Sequence, residues 1–242
     1  MKIQNNQLVF FKKITGTNIA DLAGLNKFKP KGDAVLAYMG LVKEPFDKYY
    51  TDRGALAEEF ALRSLTKRGH KCVTYNKREV DYDNFPENPY FGGLIDIEIP
   101  SERTLYEIKS KSMKDYKKIT EKGDVVQEAQ ALHYGYLRNY DTVHIMWIFF
   151  DETSEEEIRA GKPLSTLKNL KMFEKPLTVN YDEQHKLHHD ALLYLVHCVA
   201  RQSVPLSDVS DKYLELLKLK RAENQDCQNG NSGKFIQLQL DL

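Results

Sequence analysis

Asp96, Glu107 and Lys109 are the side chains whose types and spacing could do chemistry together. They fall in one stretch, Phe91-Gly-Gly-Leu-Ile-Asp96-Ile-Glu-Ile-Pro100-Ser-Glu-Arg-Thr-Leu-Tyr-Glu107-Ile-Lys109-Ser110, which reads as two strands joined by a short turn. Ile95, Ile97 and Ile99, then Tyr106 and Ile108, alternate with polar residues as in a half-buried strand pair, and Pro100 to Arg103 supplies the turn. With the turn centred between Ser101 and Glu102, Asp96 stands directly opposite Glu107, and opposed residues share a face. Lys109, two residues on, shares that face while the isoleucines turn to the core.

Two carboxylates and one ammonium so placed suit hydrolysis assisted by a hard divalent cation. Mg²⁺ takes one or two carboxylates, several waters and substrate phosphate oxygens, and the backbone carbonyl of Ile108 offers one more oxygen. A lysine beside the metal can orient a water and offset charge developing on a phosphate. The competing reading is a surface hairpin with scattered charges. A Glu-x-Lys triplet alone would favour it; the opposed Asp96 and the preceding Gly92-Gly93 argue against it.

The chain has 242 residues, 41% of them hydrophobic, enough for one α/β domain with a sizeable core, or one domain with an extra segment. No apolar run approaches membrane-spanning length and Met1-Lys-Ile-Gln-Asn-Asn has no secretory core, so a cytoplasmic location without membrane contact is expected. Cys72, Cys198 and Cys227 are far apart and odd in number, which supports neither a disulfide framework nor a four-cysteine zinc or iron–sulfur site. A formal net charge of +0 excludes a protein that coats nucleic acid over its whole surface, so a polyanion must meet a local patch. The densest basic run has lysines at 109, 111, 114, 117, 118 and 122 with only Asp115 and Glu121 against them. It starts at the proposed metal site, which makes Lys111, Lys114 and Lys117 candidates for phosphate-backbone contact.

The elements that would hold these groups follow from periodicity and caps. Leu8 to Ile14 reads as a short apolar segment leading to a helix with Thr17 as N-cap and Gly24 as its stop; Asp33 could cap a second helix through Gly40. A third helix opens at Thr51-Asp52-Arg53-Gly54, carries the apolar stripe Leu56, Phe60, Leu62 and Leu65, and ends at Gly69. Glu58 and Glu59 sit in its middle, where one can face outward and the other the sheet. Val73 to Tyr75 reads as a short strand, and Asp81 to Pro89 as a loop at the mouth of the site.

Asp124 to Arg138 returns to helical spacing, with Gln130 and Tyr134 neighbours one turn apart and Gln127 one turn upstream. Glutamine has no hydrolytic chemistry, but its amide can hold a water or a phosphate oxygen. Thr142 to Phe150 is an unbroken apolar run, a buried strand. Ser154-Glu-Glu-Glu157 fits a capping box for a short helix, and Leu177 to Asn180 a further strand. Asp182 to Ala200 forms a long amphipathic helix whose His185, His188, His189 and His197 take packing or solvated roles, and a last helix spans Leu206 to Ala222. The order gives an α/β fold, a mixed sheet flanked by helices.

Asp96 followed by Glu107-Ile-Lys109 resembles the core of the PD-(D/E)XK nuclease superfamily, whose restriction-endonuclease-like fold is a mixed sheet with flanking helices. Gln130-Ala-Leu-His-Tyr134 resembles the Gln-x-x-x-Tyr motif of its RecB-like and exonuclease branches. Ile14-Thr-Gly-Thr17-Asn-Ile-Ala-Asp-Leu-Ala-Gly24-Leu and Arg53-Gly54-Ala-Leu-Ala-Glu58-Glu-Phe-Ala61 are similar to the opening motifs of YqaJ-type viral recombinases, typified by the phage lambda exonuclease, so the likeness spans roughly residues 8 to 150 in order.

The resemblance implies an exonuclease that enters a duplex end and degrades one strand from its 5′ end to leave single-stranded overhangs. Asp96, Glu107, the Ile108 carbonyl and Glu58 would hold Mg²⁺, with Mn²⁺ as a substitute, while Lys109 and Gln130 complete the catalytic set. Glu58 rather than Glu59 matches the Gly-x-x-x-Glu-x-x-Ala pattern. Thr17 falls on the residue that helps hold the 5′ phosphate; the companion arginine has no counterpart, and Lys12 or Lys13 lies nearby in another register. Tyr134 joins the expected DNA contacts. Trimeric rings and a single-strand annealing partner are implied by the resemblance alone.

Residues 1–222 would form this nuclease domain and 223–233 a flexible linker, Asn- and Gly-rich. In the tail 234–242, Gln237-Leu238-Gln239-Leu240-Asp241-Leu242 resembles the Gln-Leu-x-Leu-x-Leu peptide that docks on bacterial sliding clamps. The same alternation suits an edge strand of the domain's own sheet. Two other functional readings stand beside the recombination exonuclease: a structure-specific or RecB-type nuclease of other polarity, and a non-catalytic DNA-binding or clamp-targeting protein on the nuclease fold.

Overall fold

The computed structural model describes residues 2–4, 7–9, 12–42, 47–201 and 203–218. Its centre is a four-stranded sheet of β5 (Ile97–Ile99), β6 (Thr104–Ser112), β7 (Thr142–Phe150) and β8 (Lys171–Thr178), in that order. The β5–β6 and β7–β8 pairs are antiparallel and β6–β7 is parallel. Parallel pairing requires a crossover, supplied here by α4 (Tyr116–Lys122) and α5 (Val125–Arg138). Two small sheets lie outside it: β1 (Lys2–Gln4) with β2 (Gln7–Val9), antiparallel, and β3 (Ile14–Thr15) with β4 (Phe91–Gly92), parallel.

β7 explains the layering. Val143, Ile145, Trp147 and Phe149 join the core beneath α5, whereas Met146, Ile148 and Phe150 pack with Ala57, Ala61 and Leu65 of α3 (Lys48–Lys67). A strand covered on both faces has no polar face, hence its unbroken apolar run. A third core joins α1 (Gly16–Leu22), α2 (Lys31–Tyr38), α7 (Tyr181–Arg201) and the helix over 211–218. The fold class expected from the sequence is the one found. Among the described residues no helix is long and apolar enough to cross a membrane.

Several local expectations change. α3 begins at Lys48, before the expected opening at Thr51, because Asp47 caps it by accepting from the Tyr49 N–H at 2.9 Å. Asp151, not Ser154, caps α6 (Glu152–Arg159); Ser154 is buried and its hydroxyl donates to the Lys168 carbonyl at 2.9 Å. Thr17 lies inside α1 and is exposed, while Thr15 occupies the cap position. Asp33 sits in the first turn of α2 after Pro30 and instead accepts from the Ser210 N–H at 2.9 Å, fixing the start of the last helix. That helix is preceded by a separate turn at Leu206–Asp208.

β8 starts at Lys171, well before Leu177. Its Glu174-Lys175-Pro176 hid it from an apolar-run reading, yet an edge strand tolerates proline and half-exposed charges. Val73 contributes one bridge, to Glu98, and no longer strand. The linker and the tail with Gln237, Leu238, Leu240 and Leu242 lie outside the described residues.

Candidate active site

The hairpin register is Ile97 opposite Tyr106, Glu98 opposite Leu105 and Ile99 opposite Thr104. That is the register a turn centred between Ser101 and Glu102 dictates; Pro100–Glu102 makes a 3₁₀ turn and Arg103 takes the left-handed conformation at φ 50°. Continued by one residue, it sets Asp96 against Glu107. Asp96 lies in a bend, and its Oδ2 accepts from the Ile108 N–H at 2.8 Å. The bend also separates the isoleucines: Ile97 and Ile99 pack toward α3, whereas Ile95 joins the core under α5.

Lys109 Nζ donates to Glu107 Oε1 at 2.6 Å and to Gln130 Oε1 at 2.9 Å, so β6 and α5 together lock the ammonium. Glu107 is only 1% exposed, and its Oε2 is buried without a hydrogen-bond partner. Burial first, and the Asp96 carboxylate second, push Glu107 up to about 8, against the pull of Lys109. Burial also raises Asp96, opposed by Lys109 and the Ile108 N–H. Glu58, on α3, is raised by burial and then by Asp96, which places it in the same electrostatic group. Glu59 instead turns outward and pairs with Arg63. Burial works against the Lys109 ammonium, but Glu107, Asp96 and Glu58 outweigh it and hold it above the ordinary lysine value.

Three carboxyls share one ammonium there, and burial with mutual repulsion holds them toward the neutral form. Among the described residues no three His, Cys, Asp or Glu side chains form a ready metal cage. Mg²⁺ does not need one, since it binds through one or two carboxylates plus waters. The unpartnered Glu107 Oε2 and carboxyls that resist ionisation are what a hard cation would relieve, so the residues fit such an ion.

The other polar residues singled out from the sequence fall into four places. Tyr134 is 2% exposed and lies against Phe85, so it shapes the site floor and offers no ring to solvent. Its ring explains two glycines: a Cβ on Gly16 would lie 2.8 Å from the Tyr134 hydroxyl oxygen, and one on Gly93, at φ +127°, would lie 2.7 Å from it. Gln127 faces the core, where its Oε1 accepts from Trp147 Nε1 at 2.7 Å.

Lys12 and Lys13 line a cavity of about 580 Å³ with Thr15, Asn18, Tyr38 and Asp83; Thr17 does not line it. Lys13 is held there by Asp83 Oδ2 at 2.6 Å and the Phe85 carbonyl at 2.5 Å. The basic run is partly neutralised within the chain: Lys111 pairs with Asp124 at 3.2 Å, Lys114 with Glu152 at 2.9 Å and Lys117 with Glu121 at 3.9 Å.

Sequence reasoning missed Asp83, Asn84 and His133 as organisers of the Gly92–Asp96 segment. Asp83 Oδ1 accepts from the Gly93 N–H at 3.1 Å and Asn84 Oδ1 from the Ile95 N–H at 2.8 Å. The Asp-Asn pair in a turn-rich stretch was the available signal. His133 Nε2 meets the Gly92 carbonyl at 3.1 Å and its Nδ1 meets His188 Nε2 at 2.8 Å; nothing local in the sequence joins α5 to α7 in this way. His188 is therefore a buried packing residue, while His185, His189 and His197 are exposed.

Mixed sheet, crossover helices and the Asp96–Glu107–Lys109 constellation agree with the α/β fold that the resemblance to PD-(D/E)XK nucleases implies. Comparison with known proteins agrees at the level of fold. A phage-related exonuclease from Haemophilus somnus 129PT superposes with a TM-score of 0.53 at 15% identity, over 79% of this chain and 96% of that one. An alkaline exonuclease from Laribacter hongkongensis gives 0.54 at 13% identity, over 88% and 94%. A structure of that enzyme with dAMP matches equally. In sequence, an uncharacterized Mycoplasma pneumoniae protein, the MG373 homolog, is 31% identical over 90 residues, 36% of this chain. The match spans 32% of that relative's length. No protein-family model matches the chain.

Proposed function

We propose that the protein is a Mg²⁺-dependent deoxyribonuclease that degrades linear duplex DNA from 5′ ends and leaves single-stranded overhangs for recombination. The observation that carries this is the buried, unpartnered Glu107 Oε2 beside Asp96, with Lys109 locked between Glu107 and Gln130. The exonuclease names of the structural neighbours point the same way.

A divalent cation at Asp96, Glu107, the Ile108 carbonyl and Glu58 would supply Lewis-acid activation of the phosphodiester and of a water. Lys109 then offers an N–H to the attacking water and a positive charge to the oxygen that becomes more negative in the transition state. Gln130 fixes the direction of that ammonium. The Ile108 N–H holds Asp96 in register, and the Asp83–Asn84 turn holds the strand entry.

A nuclease of RecB-type or other polarity is the second reading. It is favoured by one observation: Lys13, one of two lysines lining the cavity proposed for the 5′ phosphate, is already paired with Asp83. The test is digestion of linear duplex labelled separately at 5′ and 3′ ends, with Mg²⁺ and with chelator, beside Lys109→Ala. Metal-dependent loss from 5′ ends, absent in the variant, supports the first reading; cutting of circular or single-stranded DNA supports the second. No cutting of any substrate leaves a DNA-binding protein. Within this proposal the enzyme works in the cytoplasm with an annealing partner and as a ring-shaped oligomer. Its 234–242 tail binds a sliding clamp, an association that deletion of 237–242 should abolish.

A further inference from the structure

One more cation stands over the carboxylate cluster. Lys77 lines a cavity of about 340 Å³ together with Glu58, Glu59, Ile95 and Asp96; Lys109 does not line it. The backbone around Lys77 is tied down. Its carbonyl accepts from the Tyr82 N–H at 2.7 Å. Asn76 accepts from the Arg78 N–H at 3.1 Å and donates to Glu79 at 2.8 Å. Asp81 and Tyr82, at φ 48° and 59°, turn the chain back on itself. The side chain, by contrast, is exposed. Lys109 is half-buried and locked by two hydrogen bonds, whereas Lys77 is an exposed stem on a fixed base beside carboxyls it shares with the proposed metal site. It shares that cavity wall with the carboxyls of both Glu58 and Asp96.

Resting on the nuclease reading above, we propose that Lys77 is a place-holding cation for Glu58 and Asp96 that yields to the divalent ion and then contacts the phosphate chain of the strand being cut. Two consequences of opposite sign follow. A like charge beside a cation site weakens metal binding, so removing it tightens the metal. A phosphate contact adds to DNA affinity and to its salt dependence, so removing it weakens DNA binding and shallows the salt slope by about one charge. A lysine that only packs on the loop would move neither quantity in this pattern.

The experiment compares the full chain with Lys77→Ala and Lys77→Arg. Mn²⁺ binding is titrated without DNA, and KM for linear duplex is measured across a salt series. Lys77→Ala should bind Mn²⁺ roughly threefold to tenfold more tightly and show a KM raised by a similar factor, with kcat held within about twofold. Lys77→Arg should restore the parent values. Unchanged or weaker Mn²⁺ binding in Lys77→Ala, or an unchanged KM and salt slope, overturns the proposal. Failure of the nuclease reading is seen separately, as a parent protein that cuts no DNA, while the Mn²⁺ titration still judges the place-holding role.

Discussion

Helix α5 carries two polar groups one turn apart, Gln130 half-buried and His133 fully buried. Around Gln130 the neighbours are charged: Lys109 with Glu107, and Asp96 and Glu58 within their field. Around His133 they are imidazoles and carbonyls. His133 reaches the Gly92 carbonyl and His188, and His188 Nδ1 reaches the Gln184 carbonyl at 2.6 Å. Burial lowers His133 to about 3 and His188 to about 4. Two neutral rings bring two N–H protons to three contacts; a third proton would complete the chain, and the cost of burying its charge opposes that. The first group crowds three carboxyls beside one ammonium and leaves Glu107 Oε2 without a partner, whereas the second is two neutral rings strung between backbone carbonyls. Crowded carboxyls with perturbed values in a cleft mark a candidate ligand site, and a closed pair of neutral rings marks a structural joint.

The comparison breaks most simply at the first group. Asp96→Ala or Lys109→Ala should cut DNA cleavage by about 10²–10⁴-fold while DNA binding and the circular-dichroism spectrum persist. If single-turnover assays find both variants as fast as the parent, the charged cluster is not the active site. Glu58 and Glu59 sharpen the same contrast within one helix. Glu58→Gln should lower cleavage at least roughly tenfold, and Glu59→Gln, at the rim of the same cavity but paired with Arg63, should stay within about twofold of the parent in the same assay.

The histidine pair should report through stability. Both folded values lie below the unfolded histidine value of about 6.5, so the unfolded chain takes up protons first as pH falls. The contribution of the pair is full above about pH 6.5 and is lost as pH falls toward about 4. Thermal melts across that window should show a decline that His188→Phe flattens, and a slope equal to the parent's would refute the assignment. The groups facing the pair, Tyr134 and Tyr136 on α5 and His185 on α7, stay in both proteins. The smallest effect should come from Asp124, whose carboxylate caps α5 by accepting from the Gln127 N–H at 3.3 Å. Asp124→Ala should cost about 1 kcal/mol in chemical denaturation and leave kcat within about twofold.

Much of the site was legible because its parts are local. Strand alternation and a proline turn fixed which residue opposes Asp96, since a slip of one residue would send the isoleucines to the wrong face. Asp124 and Arg138 bound α5 as its periodicity required. The failures are equally specific. Asp33 has the chemistry of a cap, but its partner, Ser210, lies at the other end of the chain. Tyr134 has the polar tip of a DNA contact, but close-packed glycines draw it inward. β8 was obscured because an edge strand need not be apolar.

By itself, the sequence determined the chemistry of the hairpin: two opposed carboxylates and a lysine on one face, because pairing between neighbouring strands depends only on alternation and turn length. The tertiary structure alone decided that Gln130 holds Lys109, that Lys77 overlooks the group, and that His133 meets His188. Those contacts join elements distant in sequence, and they are set by how the helices pack on both faces of the sheet, which no local periodicity encodes.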